Sequence, residues 1–155
     1  SAYLQARKTR IMSGSPERFL KREGGKLISE PIKGTTARGA NEAEDLKLIE
    51  ELRNSEKERA ENIMIADLVR NDLSRVAKRG TVEVEDLCGI HTFETVHQMI
   101  TRITCEVDDQ MGISDILKAT YPMGSMTGAP KLSAMENIDL LRISFIPSMI
   151  VVRYL

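Results

Sequence analysis

The chain has 155 residues, 22 Lys+Arg against 23 Asp+Glu, a formal net charge of -1 and 41% hydrophobic residues. That is enough length for one domain with its own core. The balanced charge argues against a nucleic-acid surface, and no apolar run approaches membrane-spanning length.

In chain order, "AYLQ" opens apolar and strand-like, and "FIPSMIVVRYL" closes the same way. Neither carries the polar fraying segment of a domain edge, so the expectation is a piece of something longer. The opening "SAYLQARKTR" has no signal-peptide apolar core. "TRIMSGSPERFLKREGGKLISEPIKG" reads as short strands separated by turns, with "EGGK" as a hairpin signal. "EPIKGTTARG" sets one lysine, Lys33, among small and turn-prone residues. "NEAEDLKLIEELRN" spaces Leu46, Ile49 and Leu52 as a helix does. A second helix begins at Ser55, where "SEKE" forms a capping box with Glu58, and runs to a stop at Gly80. "GTVEVEDL" and "TVHQMITRITCEV" read as strands. "SDILKATY" is a short helix, "PMGSMTG" a loop, and "APKLSAMENIDLL" a helix with Pro130 near its first turn. The class is α+β or α/β, with helices packed on a mostly antiparallel sheet. Cys88 and Cys105 match no CxxC or zinc spacing, so reduced, partly buried thiols and a cytoplasmic setting are expected.

Several side chains could carry chemistry, and each has a plainer reading. Glu17, just after a Ser-Pro turn, suits a general acid or base, or is a solvated hairpin glutamate. Lys33 suits a nucleophile, because burial favours the neutral amine, or is a surface lysine. Gly34 beside it allows close approach of a ligand to the backbone. Glu58 and Glu61 share one helix face and could hold Mg²⁺, or could simply favour a helix N-terminus. "GSMTGAPK" could bind an anion on free backbone N–H groups, although it is neither a P-loop nor a dinucleotide fingerprint. His91 and His97 fit no metal spacing with the cysteines.

Taken in order, "SGSPERFL", "PIKGTTARG", "NSEKERAENIMIADLVRNDLSRV", "TVHQMITRI" and "GSMTGAPKLSAMENID" resemble the chorismate-utilising enzymes, over about Ala2 to Leu141. The resemblance implies an α+β fold, a fragment of the chorismate-binding fold in a single partial domain over 1–155. Within the family, "PIKGT" is similar to the amidating members of the para-aminobenzoate branch, where anthranilate-type members carry alanine in place of Lys33. It implies Lys33 as nucleophile and Glu17 as acid. It further implies Gly34, Thr35, Gln98, Thr127, Gly128 and Ala129 against chorismate, and Mg²⁺ on Glu61 with Glu58. A glutamine amidotransferase (glutaminase) subunit would supply ammonia. No nucleic acid or membrane partner is implied.

The chain also departs from the family pattern. Gln98 stands where many members carry a histidine, and His97 comes one residue early, on the opposite face of a strand. Beyond "AMENIDLL" a glycine-rich strand is expected, but the chain reads "RISFIPSMIVVRYL". The isolated chain is therefore expected to be inactive. The alternatives are an anthranilate-forming member or a non-catalytic binding paralogue.

Overall fold

A computed structural model describes residues 2–6 and 9–140. β1 (Ala2–Ala6) and β2 (Thr9–Ser13) pair antiparallel as a separate two-stranded sheet. The main sheet is five-stranded: β3 (Arg18–Glu23), β4 (Lys26–Glu30), β5 (Ile32–Ala37), β6 (Glu83–Thr92) and β7 (Val96–Glu106). Every pairing in it is antiparallel.

β7 organises this sheet. β6 lies along one edge of it. The other edge is shared by β4 and β5 in succession, with Leu27 opposite Cys105, Ile32 opposite Ile100, and Thr35 opposite Gln98. Pro31 separates β4 from β5. It has no N–H to give a ladder, but its carbonyl still accepts from Thr101 N–H at 3.2 Å. The ladder slips between Ile32 and Thr35. "PIKGTTARG", read above as turn-prone, thus forms a bulged strand: two residues, Lys33 and Gly34, stand opposite Met99 alone.

Helices cover one face of the sheet. α1 (Glu42–Arg53) is capped by Asn41, whose side chain accepts from Glu44 N–H at 3.0 Å. α2 (Glu56–Ser74) is capped by Ser55, which accepts from Glu58 N–H at 3.4 Å, half of the capping box, while Ser55 N–H donates to the Leu52 carbonyl at 3.3 Å instead of to the Glu58 side chain. α2 stops at Ser74, well short of Gly80, because Arg75 and Val76 turn back onto Asp72 and Leu73 carbonyls. α3 (Ile113–Thr120), α4 (Gly124–Thr127) and α5 (Lys131–Leu140) follow. α4 is a single turn inside what the sequence suggested was loop.

Alternation along β7 sets the two faces. His97, Met99, Thr101 and Ile103 are fully buried on the helix side, and Gln98, Ile100 and Arg102 are only half-buried on the other. The main core joins Leu27, Ala66, Leu73, Val76, Ile103, Cys105, Val107 and Ile116. A smaller one joins Leu52, Cys88 and Met99. On α1 the periodicity is only partly realised: Leu52 is buried, but Leu46 is 60% exposed. Both cysteines are free and buried, and burial pushes the Cys105 thiol up to about 11.

Between α2 and β7 lies a buried polar knot. Asn62 Nδ2 donates to the Met99 carbonyl at 3.1 Å, and its Oδ1 accepts from the Thr101 hydroxyl. Thr101 Oγ1 in turn accepts from Cys88 N–H at 2.9 Å. The knot fixes α2, and so Glu58 and Glu61, against the sheet.

Candidate active site

The face of the sheet away from α1 and α2 bears a cleft of about 560 Å³. Gln98, Ile100 and Val96 of β7, Ile32 of β5, Phe93, and Glu17 from the Ser-Pro turn line it. One end is charged: Glu30 pairs with Arg18 and, at 2.9 Å, with Arg102.

Glu17 and Lys33 come within electrostatic reach of each other, although one precedes β3 and the other lies in β5. Burial raises the Glu17 carboxyl above its ordinary range, while Ser125 and the charge of Lys33 pull the other way. Ser125 is close, but its hydroxyl and Glu17 Oε1 fall short of a formed hydrogen bond, and both remain unpaired. Lys33 itself is half-buried and makes no ion pair among the described residues. An acid that burial makes harder to ionise, within reach of an amine, is the kind of pair that general-acid and nucleophilic chemistry use.

Gly34 packs this arrangement against the helices. Its φ is +87°, and a Cβ there would stand 3.0 Å from Leu52 Cδ1 and 3.2 Å from Glu58 Oε2. Glu58 thus lies directly over the bulge, with Glu61 half-buried one turn on. Both offer hard oxygen ligands and neither is committed to an ion pair among the described residues. Mg²⁺ is bound through one or two carboxylates with its remaining positions on water or substrate, so this pair fits it in kind. Among the described residues no third Asp, Glu, His or Cys joins them.

The "MTGAPK" turn does not match the expectation of free amides. Thr127 N–H donates to Met123 O at 3.2 Å and Gly128 N–H to Gly124 O at 3.1 Å. α4 therefore consumes two of the donors assigned to an anion, because a helical turn satisfies its own N–H groups. Only Ala129, which is exposed, keeps an uncommitted N–H in this trio. Thr35 is exposed and faces Gln98 across the ladder.

Sequence reasoning missed the group on the opposite side of β7. His97 is fully buried, with Nε2 at 2.9 Å from Asp45 Oδ1 and Nδ1 at 2.9 Å from Thr92 Oγ1. Asp45 also accepts from Arg38 Nη2 at 2.8 Å and Gly39 N–H at 2.7 Å. Arg38, Gly39 and His97, in that order of effect, hold the Asp45 carboxyl far below the usual carboxylate range. Arg38 further donates to the Phe93 carbonyl at 3.0 Å, tying the β6–β7 turn to α1. Gln98 faces the cleft and His97 the helices, as their adjacency on a strand required.

A family model described as chorismate binding enzyme matches residues 1–142. The chain belongs to the chorismate-binding enzyme family. It is 46% identical over 141 residues to aminodeoxychorismate synthase component 1 of Escherichia coli (strain K12), covering 91% of this chain and 31% of that relative. It is 43% identical over 139 residues to the chloroplastic anthranilate synthase alpha subunit 1 of Arabidopsis thaliana, covering 90% of this chain and 23% of the relative. Among solved structures, anthranilate synthase component I from Streptococcus pneumoniae TIGR4 superposes with a TM-score of 0.74 at 30% identity, over 91% of this chain and 30% of that one. The chain thus spans about a third of the length of the E. coli relative and of the S. pneumoniae structure. The divergent segment after Leu141, which stands where the family pattern has a glycine-rich strand, falls outside the described residues.

Proposed function

We propose that the protein containing this chain aminates chorismate to 4-amino-4-deoxychorismate, on the route to para-aminobenzoate and folate. The observation that carries the reading is Glu17, an acid raised by burial on the cleft wall, with the charge of Lys33 close enough to act on it. The Lys33 amine forms a bond to the chorismate ring as the bond from carbon 4 to its hydroxyl breaks. Hydroxide is a poor leaving group, so Glu17 gives it a proton and water departs. Ammonia then attacks carbon 4, the bond to Lys33 breaks, and the amine is free again.

Gln98, on the cleft wall, would hydrogen-bond the substrate; as an amide it moves no proton. Gly34, Thr35 and Ala129 would meet substrate carboxylates through the backbone. Glu61, with Glu58, would hold Mg²⁺ on the helix side of the bulge, the face opposite the Gln98 wall, where the ion would supply charge neutralisation for a carboxylate. The ammonia source would be a glutamine amidotransferase subunit, in keeping with the component-1 name of the E. coli relative. A cytoplasmic setting fits the two reduced thiols, and among the described residues no helix is long and apolar enough to cross a membrane.

The test is mass spectrometry on the intact protein containing this chain, incubated with chorismate and no ammonia. The expected result is an adduct that maps to Lys33 and disappears in Lys33→Ala. Lys33→Arg should be less active than Lys33→Ala, because arginine stays protonated and is bulkier. Absence of an adduct, with full turnover in Lys33→Ala, would move the reading to the anthranilate-forming chemistry named for the Arabidopsis relative.

A further inference from the structure

Among the described residues, three side-chain oxygens are buried with no hydrogen-bond partner: Glu17 Oε1, Asp72 Oδ1 and Ser125 Oγ. They come from three distant parts of the chain, yet their residues line one small cavity between β3, α2 and α4. Its volume is about 10 Å³, close to the room that a single water occupies. Its other walls include the apolar Phe19, Leu20, Val69 and Leu73 and the hydroxyls of Ser29 and Thr120, of which Thr120 already donates to the Ile116 carbonyl at 2.8 Å. Unpaired buried oxygens are costly and rare, and three around one cavity call for a common partner.

We propose that this cavity binds one ordered water that joins Glu17, Ser125 and Asp72. The donor count fits. Water has two hydrogens and accepting lone pairs; a carboxylate oxygen only accepts, and a serine hydroxyl can donate. One molecule can therefore donate to Asp72 Oδ1 and Glu17 Oε1 while accepting from Ser125 Oγ, and all three orphans are satisfied at once. Asp72 is itself anchored, since its Oδ2 accepts from Lys131 Nζ at 2.7 Å and Lys131 also donates to the Thr120 carbonyl at 3.2 Å. The water thereby links Glu17 to a buried ion pair between α2 and α5. Glu17 borders this cavity and the large cleft alike, so the water holds the carboxyl at the boundary of the two. The importance of that hold for acid chemistry rests on the proposed function; the hydration does not.

The test uses the 155-residue chain without chorismate. A crystal structure should show density for a water within hydrogen-bonding reach of at least two of the three oxygens. In solution, the backbone amides of Gly124 and Ser125 should show dipolar cross-peaks to a long-lived water. Ser125→Val, which fills the cavity, should lose both signals; if it fails to fold, the native chain alone decides. A dry cavity, a direct Ser125–Glu17 hydrogen bond closing it, or cross-peaks arising only from exchange would overturn the inference. None of those outcomes touches the Lys33 adduct experiment, so the two readings fail separately.

Discussion

Replacing Gly34 by alanine should destabilise the chain, and the cost has two parts. The backbone there sits at φ +87°, and a Cβ in the left-handed region costs about 1–2 kcal/mol. The added methyl would also stand 3.0 Å from Leu52 Cδ1 and 3.1 Å from Glu58 Cβ. Overpacking of this kind costs about 1–3 kcal/mol. Leu52 is buried in the smaller core and cannot retreat, whereas the half-buried Glu58 can swing aside. Steric relief through Glu58 puts the sum at roughly 2–3 kcal/mol. With a urea slope of about 1–3 kcal/mol/M, the unfolding midpoint should fall by roughly 1 M with the slope unchanged. Urea titration followed by far-ultraviolet circular dichroism reads this directly. A midpoint that stays put or rises would mean that the bulge is not held in this conformation, and the placement of Lys33 and Glu58 around it would fall too.

Glu17→Gln should stabilise the chain at neutral pH. A carboxyl raised above its ordinary value of 4.5 opposes folding once pH exceeds its folded pKa and stops doing so below its unfolded one, so the gain should vanish on acidification. Equal stability of variant and native chain across the pH range would refute it. Lys131→Met should cost about 3–5 kcal/mol by leaving the buried Asp72 charge uncompensated, and the double change with Asp72→Leu should recover most of that; denaturation of the two variants tests the pair. In the intact protein, Glu61→Ala should remove Mg²⁺-dependent turnover while the fold persists, and a magnesium titration that matches wild type would exclude Glu61 as a ligand.

Local signals carried most of the fold. Ser55 and Glu58 mark the start of α2, the β-branched run marks β7, and the adjacency of His97 and Gln98 was enough to assign them to opposite faces. The errors came where local chemistry and tertiary pairing compete. Gly34 and the threonines of "PIKGTTARG" read as turn formers, but β7 offers that segment a ladder, and its hydrogen bonds outweigh weak intrinsic preference. At the candidate site, Glu17 and Lys33 could be named individually, but not the electrostatic reach between them, because one precedes β3 and the other lies in β5 and only the folded sheet relates the two. Asp45 with His97, and Asp72 with Lys131, lie 52 and 59 residues apart in sequence, and no spacing rule reaches that far.

The bulge also separates two kinds of inheritance. Residues of β5 that face β7 in register are committed to the sheet, and changing them perturbs the scaffold. Lys33 lies in the slip between registers, where the ladder makes no demand on its side chain. A substitution there can change the side chain that the bulge presents without asking the strand to re-pair. That gives one scaffold room to diverge: the side chain in this slot can be exchanged while the frame around it stays as it is.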